Sequence, residues 1–137
     1  MAEAHFGGAS VRADRTWPEP STAMDLVEFR FFRGTPGCHV RYVEPPVTDE
    51  VSGDPVEVQG AAFLQVSCHP VTSLIHGTDN VDRYRSPDTK NVTELAGTGY
   101  DGSTLTWTIG LRRRSPFGVA VIMDGGSPSG VSVGIVQ

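Results

Sequence analysis

The stretch from Leu105 to Met123 decides the fold, and it reads LTWTIGL at 105–111, RRRSP at 112–116 and FGVAVIM at 117–123. In the first run, apolar residues alternate with threonines, which is the period-two pattern of a half-buried strand. The return run also places an apolar residue at every second position. Pro116, in the basic link between the two runs, is a poor continuation of either strand. The pattern predicts an antiparallel pair, 105–111 with 117–123, at the centre of a β core that buries Trp107.

The rest of the chain predicts more strands separated by turns. Sixteen glycines and ten prolines divide the chain, and no run has a sustained helical period. Further strands are predicted at 10–14, 26–32, 38–43, 56–58, 62–68, 92–95 and 131–136, of which 56–58 is the shortest. Residues 1–8 are interpreted as a flexible N-terminal tail, and residues 9–137 as a single β domain. The spacing predicts an all-β fold, an antiparallel β-sandwich or a closed β-barrel of about nine strands.

Charge and hydropathy exclude some classes of partner. A net charge of −5 argues against nucleic acid, which needs a basic face. Arg112–Arg114 is a dense basic cluster that fits a solvated turn or a surface for an anionic ligand. We find no apolar run of the ~20 residues that a membrane span needs. The N-terminus lacks the pattern of a secretory signal, so we expect a cytoplasmic protein, or an exported one whose signal has been removed.

The chain has two cysteines, Cys38 and Cys68. Both fall on the inward faces of strands that are expected to be neighbours. We predict that both are free, buried and poorly reactive thiols. A disulfide between them is the alternative, and it would require oxidising surroundings.

Catalytic and metal motifs are weak throughout the chain. His39, His69 and His76 lie in separate segments, and Cys68 and His69 are adjacent and so point to opposite sides of a strand. We therefore expect no metal site. A phosphate-binding glycine loop ahead of a helix is not found, nor is a nucleophile elbow, so no cofactor is expected and the catalytic residues stay unknown.

Several stretches, taken in order, carry a family resemblance. They are GTPG at 34–37, VRYVEPP at 40–46, GDPVEVQG at 53–60, FLQV at 63–66, TEL at 93–95, YDG at 100–102 and WTIGL at 107–111. The chain resembles the actinobacterial AMIN-like domain, a β-sandwich found mostly in exported lipoproteins. Two segments depart from the family pattern, at 21–26 and 127–135. The resemblance implies a non-catalytic module that binds within the cell envelope.

The aromatic side chains suggest a different function. A sandwich or barrel of this size can open into an apolar pocket. The first hypothesis is a domain that binds an apolar small molecule, in the manner of a cofactor-independent cyclase or isomerase of polyketide-type secondary metabolism. Its predicted ligand-binding residues are His39, Tyr42, Trp107, Tyr84 and His76, the last two carried by a lid at 71–89. The alternative is the AMIN-like envelope module, and homodimerisation is left open.

Overall fold

The computed structural model describes residues 4–14, 23–74 and 83–137. These ranges contain ten strands and no helix. The strands are β1 (His5–Asp14), β2 (Met24–Phe32), β3 (Gly37–Val43), β4 (Ala62–His69), β5 (Ser73–Leu74), β6 (Arg83–Tyr84), β7 (Val92–Tyr100), β8 (Leu105–Leu111), β9 (Phe117–Asp124) and β10 (Ser127–Val136).

The strands form two five-stranded sheets. Sheet I has the order β5-β1-β2-β10-β9, and sheet II has the order β3-β4-β8-β7-β6. Neighbouring strands are antiparallel, apart from the short parallel pair of β1 with β5. Because the two sheets are separate and each has two edges, the fold is a sandwich rather than a closed barrel.

The core lies between the two sheets. From sheet I it takes Val27, Phe29, Phe31, Val133 and Ile135, and from sheet II it takes Leu64, Val66, Leu95, Trp107 and Ile109. The predicted inward faces of 26–32, 62–68 and 105–111 are therefore confirmed. Each of these strands has an apolar residue at every second position, and burying that face is what holds the sheets together.

The predicted central pair is wrong. β8 is paired with β4 and β7 in sheet II, whereas β9 is paired with β10 at the edge of sheet I. The 112–116 link therefore crosses from one sheet to the other. β9 lies at the margin of the sandwich, where Val121 remains 56% exposed. A period-two pattern cannot distinguish an apolar strand inside a sheet from one at its edge.

Several strand boundaries also differ from the prediction. β1 starts at His5, and Phe6 is buried, so residues 5–8 belong to a strand rather than to a loose tail. β7 continues to Tyr100 through register shifts on either side of its central part. The predicted wide turn at 124–130 is a two-residue hairpin, because Asp124 pairs with Ser127. Gly125 and Gly126 both adopt the positive φ that such a turn requires.

Cys38 and Cys68 form a disulfide, so the prediction of two free thiols is wrong. The two residues are directly opposite each other in the β3–β4 ladder. Their faces and the neighbouring strands were predicted correctly, but the register that brings the two sulfur atoms together was not assigned.

The segment 44–61 covers the outer face of sheet II. It approaches β8 so closely that a Cβ atom on Gly110 would fall 1.9 Å from the Gln59 carbonyl oxygen. The Glu50 N–H also donates to the Thr98 carbonyl oxygen over 2.8 Å. This cover explains why Thr108 is 1% exposed although it points away from the core. The predicted short segment at 56–58 is not a strand but part of the cover.

A buried carboxylate joins sheet I to the segment that enters β7. Asp25 is 0% exposed and accepts hydrogen bonds from the backbone N–H groups of Asn91 at 2.7 Å, Val92 at 2.8 Å and Lys90 at 3.1 Å. The Gln137 amide donates to it over 2.9 Å. Several donors therefore compensate the carboxylate for its loss of water.

Candidate functional site

A polar groove lies on the outer face of sheet II. Its volume is about 420 Å³. Its lining is mostly charged and hydroxyl-bearing, and comprises His39, Arg41, Glu50, Val51, Gln65, Ser67, Gly99, Asp101, Thr104 and Thr106. We call this feature the outer groove.

The register of β3, β4 and β8 brings the side chains that form the floor of the outer groove next to one another. His39 pairs with Ser67 and Arg41 with Gln65 across β3 and β4, and Ser67 in turn pairs with Thr106 of β8. Residues of one strand that are two positions apart share a face, so these side chains all point away from the core. The Cys38–Cys68 disulfide joins the same two strands on the opposite face of the sheet.

The segment 49–54 forms one wall. Asp49 closes a turn, because its Oδ1 atom accepts hydrogen bonds from the N–H groups of Val51 and Ser52, both at 2.9 Å. The turn holds Glu50, whose Oε1 atom accepts a hydrogen bond of 2.8 Å from the Gln65 amide. Arg41 donates to the Oε1 atom of the same Gln65 amide over 3.3 Å. The three polar side chains therefore form a chain across the groove.

The opposite end carries a second turn. Asp101 accepts hydrogen bonds from the N–H groups of Thr104 at 2.7 Å and Ser103 at 2.8 Å. These two donors, helped by the charge of His69, lower the pKa of the Asp101 carboxyl below its ordinary value. The groove therefore has a carboxylate acceptor at this end and another, Glu50, at its wall.

The electrostatic character of the outer groove is mixed. The guanidinium of Arg41 supplies a fixed positive charge, and the amide of Gln65 offers both a donor and an acceptor. Glu50 and Asp101 supply acceptors only. A ligand rich in hydroxyl and amide groups matches such a surface better than a purely anionic or an apolar one.

Of the four predicted ligand-binding residues that the structure describes, Trp107 and Tyr84 are brought together, whereas His39 lies on the opposite face of sheet II. His39 is exposed and lines the outer groove. Tyr42 is three positions further along β3 and therefore points to the opposite face. Trp107 is in the core, and Tyr84 packs against it with ring centroids 5.9 Å apart. His76 lies outside the described residues.

The contacts of Tyr42 indicate a structural role. Its hydroxyl donates to the Ser115 carbonyl oxygen and accepts a hydrogen bond of 2.7 Å from the Ser115 N–H. The Arg114 guanidinium lies 4.2 Å from the centre of the tyrosine ring, and Phe117 packs edge-on against it. Tyr42 therefore fastens the link between β8 and β9 to sheet II.

Trp107 is enclosed by aromatic rings. The rings of Phe6 and Phe29 have centroids 5.7 Å and 6.1 Å from that of Trp107. The indole Nε1 atom is buried and has no hydrogen-bond partner within the described ranges. These contacts are those of a packed core residue, so the predicted burial of Trp107 is confirmed.

A second electrostatic cluster surrounds Glu94, which is 1% exposed. Its carboxylate accepts hydrogen bonds from the Gln59 N–H at 2.9 Å, from Arg83 at 3.1 Å and from Arg85 at 3.2 Å. Burial raises the pKa of Glu94 and is the largest single influence. The Gln59 N–H and the two arginines together outweigh it, so the pKa of Glu94 is lowered overall. The cluster ties the 44–61 cover to β6 and β7.

Sequence reasoning missed Arg41, Gln65, Glu50 and Asp101. The signal for Arg41 was present, because a strand that turns Val40 inward must turn its neighbour outward. Glu50 and Asp101 come from loops that are distant in sequence, and no local pattern places them beside one strand face.

Two other properties concern the described part of the chain. No helix there is long and apolar enough to cross a membrane. Within the same residues, no group of three or more His, Cys, Asp or Glu side chains could hold a metal ion.

The described residues form a mostly antiparallel β-sandwich of ten strands, with a polar groove across the outer face of one sheet. The family model of the AMIN-like domain matches residues 22–135. This match covers most of the chain, so the chain belongs to the AMIN-like domain family, as the resemblance indicated. Neither the curated proteins nor the solved structures gave a match.

Proposed function

We propose that this domain is a non-catalytic binding module of the cell envelope, and that the outer groove binds a ligand rich in hydroxyl and amide groups. Membership of the AMIN-like family is compatible with a binding module. The observation that carries the proposal is the row of polar side chains on β3, β4 and β8, facing the wall at Glu50. Envelope glycans, with their hydroxyl and acetamido groups, have the matching chemistry.

The arrangement of the floor supports binding of an extended ligand. His39 and Arg41 point outward from one strand, and successive outward residues of a strand are about 7 Å apart along the chain. Hydrogen-bond donors and acceptors at that spacing suit the repeating units of a polymer. Because the side chains project from paired strands rather than from free loops, little conformational entropy is lost when the ligand binds.

No contact among the described residues supports the cyclase hypothesis. It needs an apolar cavity lined by Tyr42 and Trp107, and both side chains make packing contacts. Because these packing contacts do not support binding of an apolar small molecule, that hypothesis stays a prediction. The surface-binding function needs no such cavity.

The disulfide supports an exported location. Disulfides persist in oxidising compartments and are rare in the cytoplasm. The Cys38–Cys68 bond lies directly under the groove floor, between the two strands that carry His39, Arg41, Gln65 and Ser67. We therefore propose that the domain works outside the cytoplasm, which is the second of the two locations that the sequence left open.

Cosedimentation with purified, insoluble cell-wall glycan tests the function. The wild-type chain should sediment with the glycan, and a titration with increasing glycan should show that Arg41→Ala weakens the apparent affinity by roughly tenfold, the equivalent of one charge-assisted hydrogen bond. Arg12→Ala is the matched control. Arg12 is also an exposed arginine on the outer face of a sheet, where it pairs with Glu28 at 3.0 Å, but it belongs to sheet I.

Binding that falls equally in both variants would indicate a general charge effect and would contradict a role for the outer groove. No sedimentation of the wild-type chain would contradict the envelope-glycan assignment. The thermal midpoint of each variant, measured alongside, separates lost binding from lost folding.

A further inference from the structure

The four edges of the two sheets differ in how they are protected. β5 and β6, which end one side of each sheet, are only two residues long. β3 carries the exposed side chains His39 and Arg41, which discourage pairing with another strand. Very short strands and charged side chains are the usual means of protecting an edge.

β9 has neither protection. It is eight residues long, and it has no charged residue from Phe117 to Met123. Val119 and Val121 pair with the buried residues Val133 and Val131 of β10, so their side chains extend the core face of sheet I. Sheet II does not cover them, and Val119, Val121 and Met123 are 48%, 56% and 55% exposed. The edge is therefore apolar and, among the residues that the structure describes, open to pairing.

The charges at the two ends of β9 indicate what pairs with it. Arg112–Arg114, all exposed, come just before the strand, and Asp124 ends it. The Oδ2 atom of Asp124 already pairs with Arg30 at 3.1 Å, but 69% of the Asp124 side chain remains exposed to a second partner. In an antiparallel pair of two identical strands, the start of each strand lies beside the end of the other. A second copy would therefore place its arginine cluster beside Asp124, and the same contact would recur at the other end.

We propose that the chain forms a symmetric dimer in which β9 pairs antiparallel with β9 of a second copy. Sheet I then continues across the two-fold axis as a ten-stranded sheet. The unpaired N–H and C=O groups of the edge gain partners, and the half-exposed Val119, Val121 and Met123 pack against their equivalents. This inference does not depend on the proposed function, since the outer groove lies on sheet II.

Analytical ultracentrifugation over a concentration series tests the dimer. The wild-type chain should shift from monomer to dimer as its concentration rises. Val121→Lys should weaken the association by roughly tenfold or more, because it places a charge at the centre of the pairing edge. Val51→Lys is the matched control, since Val51 is also an exposed valine, at 59%, but lies on the 49–54 turn. It should dimerise like the wild type.

A charge exchange tests the antiparallel orientation. Asp124→Arg should weaken dimerisation, since each copy then meets the other's cluster with like charge. A chain that carries Arg112→Asp and Arg113→Asp should also dimerise weakly. A mixture of the two variants should restore the dimer, because opposite charges then meet at both ends. Arg114 is left unchanged because it stacks on Tyr42.

A wild-type chain that stays monomeric up to its solubility limit would overturn the proposal. So would a dimer that Val121→Lys leaves unchanged, because the copies would then meet through another surface. A mixture that fails to restore the dimer would overturn the antiparallel orientation. Thermal midpoints equal to that of the wild type establish that each variant is folded.

Discussion

Replacement of Asp25 by alanine tests how sheet I is joined to the segment that enters β7. Asp25 is fully buried, and its carboxylate accepts the backbone N–H groups of Asn91 at 2.7 Å and of Val92 at 2.8 Å. Alanine leaves both donors buried without an acceptor, and each such donor costs about 1–3 kcal/mol. Part of that loss is offset, because the buried carboxylate itself carries a desolvation penalty that alanine does not have. We expect a net loss of about 2–4 kcal/mol in the free energy of unfolding, somewhat below the full cost of the two orphaned donors.

Urea denaturation followed by tryptophan fluorescence measures this loss as a lower midpoint with an unchanged slope. Asp25→Asn should lose less, since it keeps one acceptor oxygen. Asp101→Ala is the matched control, because Asp101 also accepts two backbone N–H groups but is exposed. Water replaces its carboxylate, so its midpoint should move much less. A shift for Asp25→Ala no larger than that for Asp101→Ala would refute the reasoning.

Three other perturbations have expected outcomes. Trp107→Ala should cost about 3–5 kcal/mol in urea denaturation, the range for truncating a buried tryptophan, and an unmoved midpoint would contradict its burial. Reduction of the Cys38–Cys68 disulfide, which spans 30 residues, should lower stability by about 3–4 kcal/mol, measured as the urea midpoint with and without reductant. The pKa of Glu94 is lowered on folding, so its contribution is present above the ordinary value of 4.5 and is lost as the pH falls further. Glu94→Gln should therefore flatten the decline of stability below that pH, and an unchanged acid profile would contradict the assignment.

The interior strands could be predicted from sequence because local alternation and burial agree in them. Leu105–Leu111 and Leu64–Cys68 have an apolar side chain at every second position, and in both strands that face is buried. β9 has the same alternation and fails the prediction. Its valines lie on the correct face of sheet I, but at a margin that sheet II does not reach. Sheet order is a property of the whole fold, and a local pattern does not contain it.

The candidate site was predictable only in part. His39 was identified as a ligand-binding residue and lies in the outer groove, but it was grouped with Tyr42, which is on the other face of the same strand. An odd separation of three residues along a strand is enough to reject that grouping. Glu50 and Asp101 reach the groove through turns whose positions depend on contacts with β7 and β8, so neighbouring sequence carries no signal for them. The Cys38–Cys68 disulfide was not predicted for the same reason, because it depends on the register between two strands and not on neighbouring sequence.

The most direct test of the binding function is a map of ligand contact by residue. Backbone amide chemical shifts should be recorded during titration with a soluble fragment of cell-wall glycan. The account predicts that the shifts that change cluster on β3, β4, the 49–54 turn and the outward-facing Thr106 of β8. The largest changes are expected at His39, Arg41, Glu50 and Gln65, whereas the indole N–H signal of Trp107, whose side chain lies in the core, should be unaffected. Changes centred on Trp107 and Tyr84 instead, or no changes at all, would contradict the outer groove as the binding site.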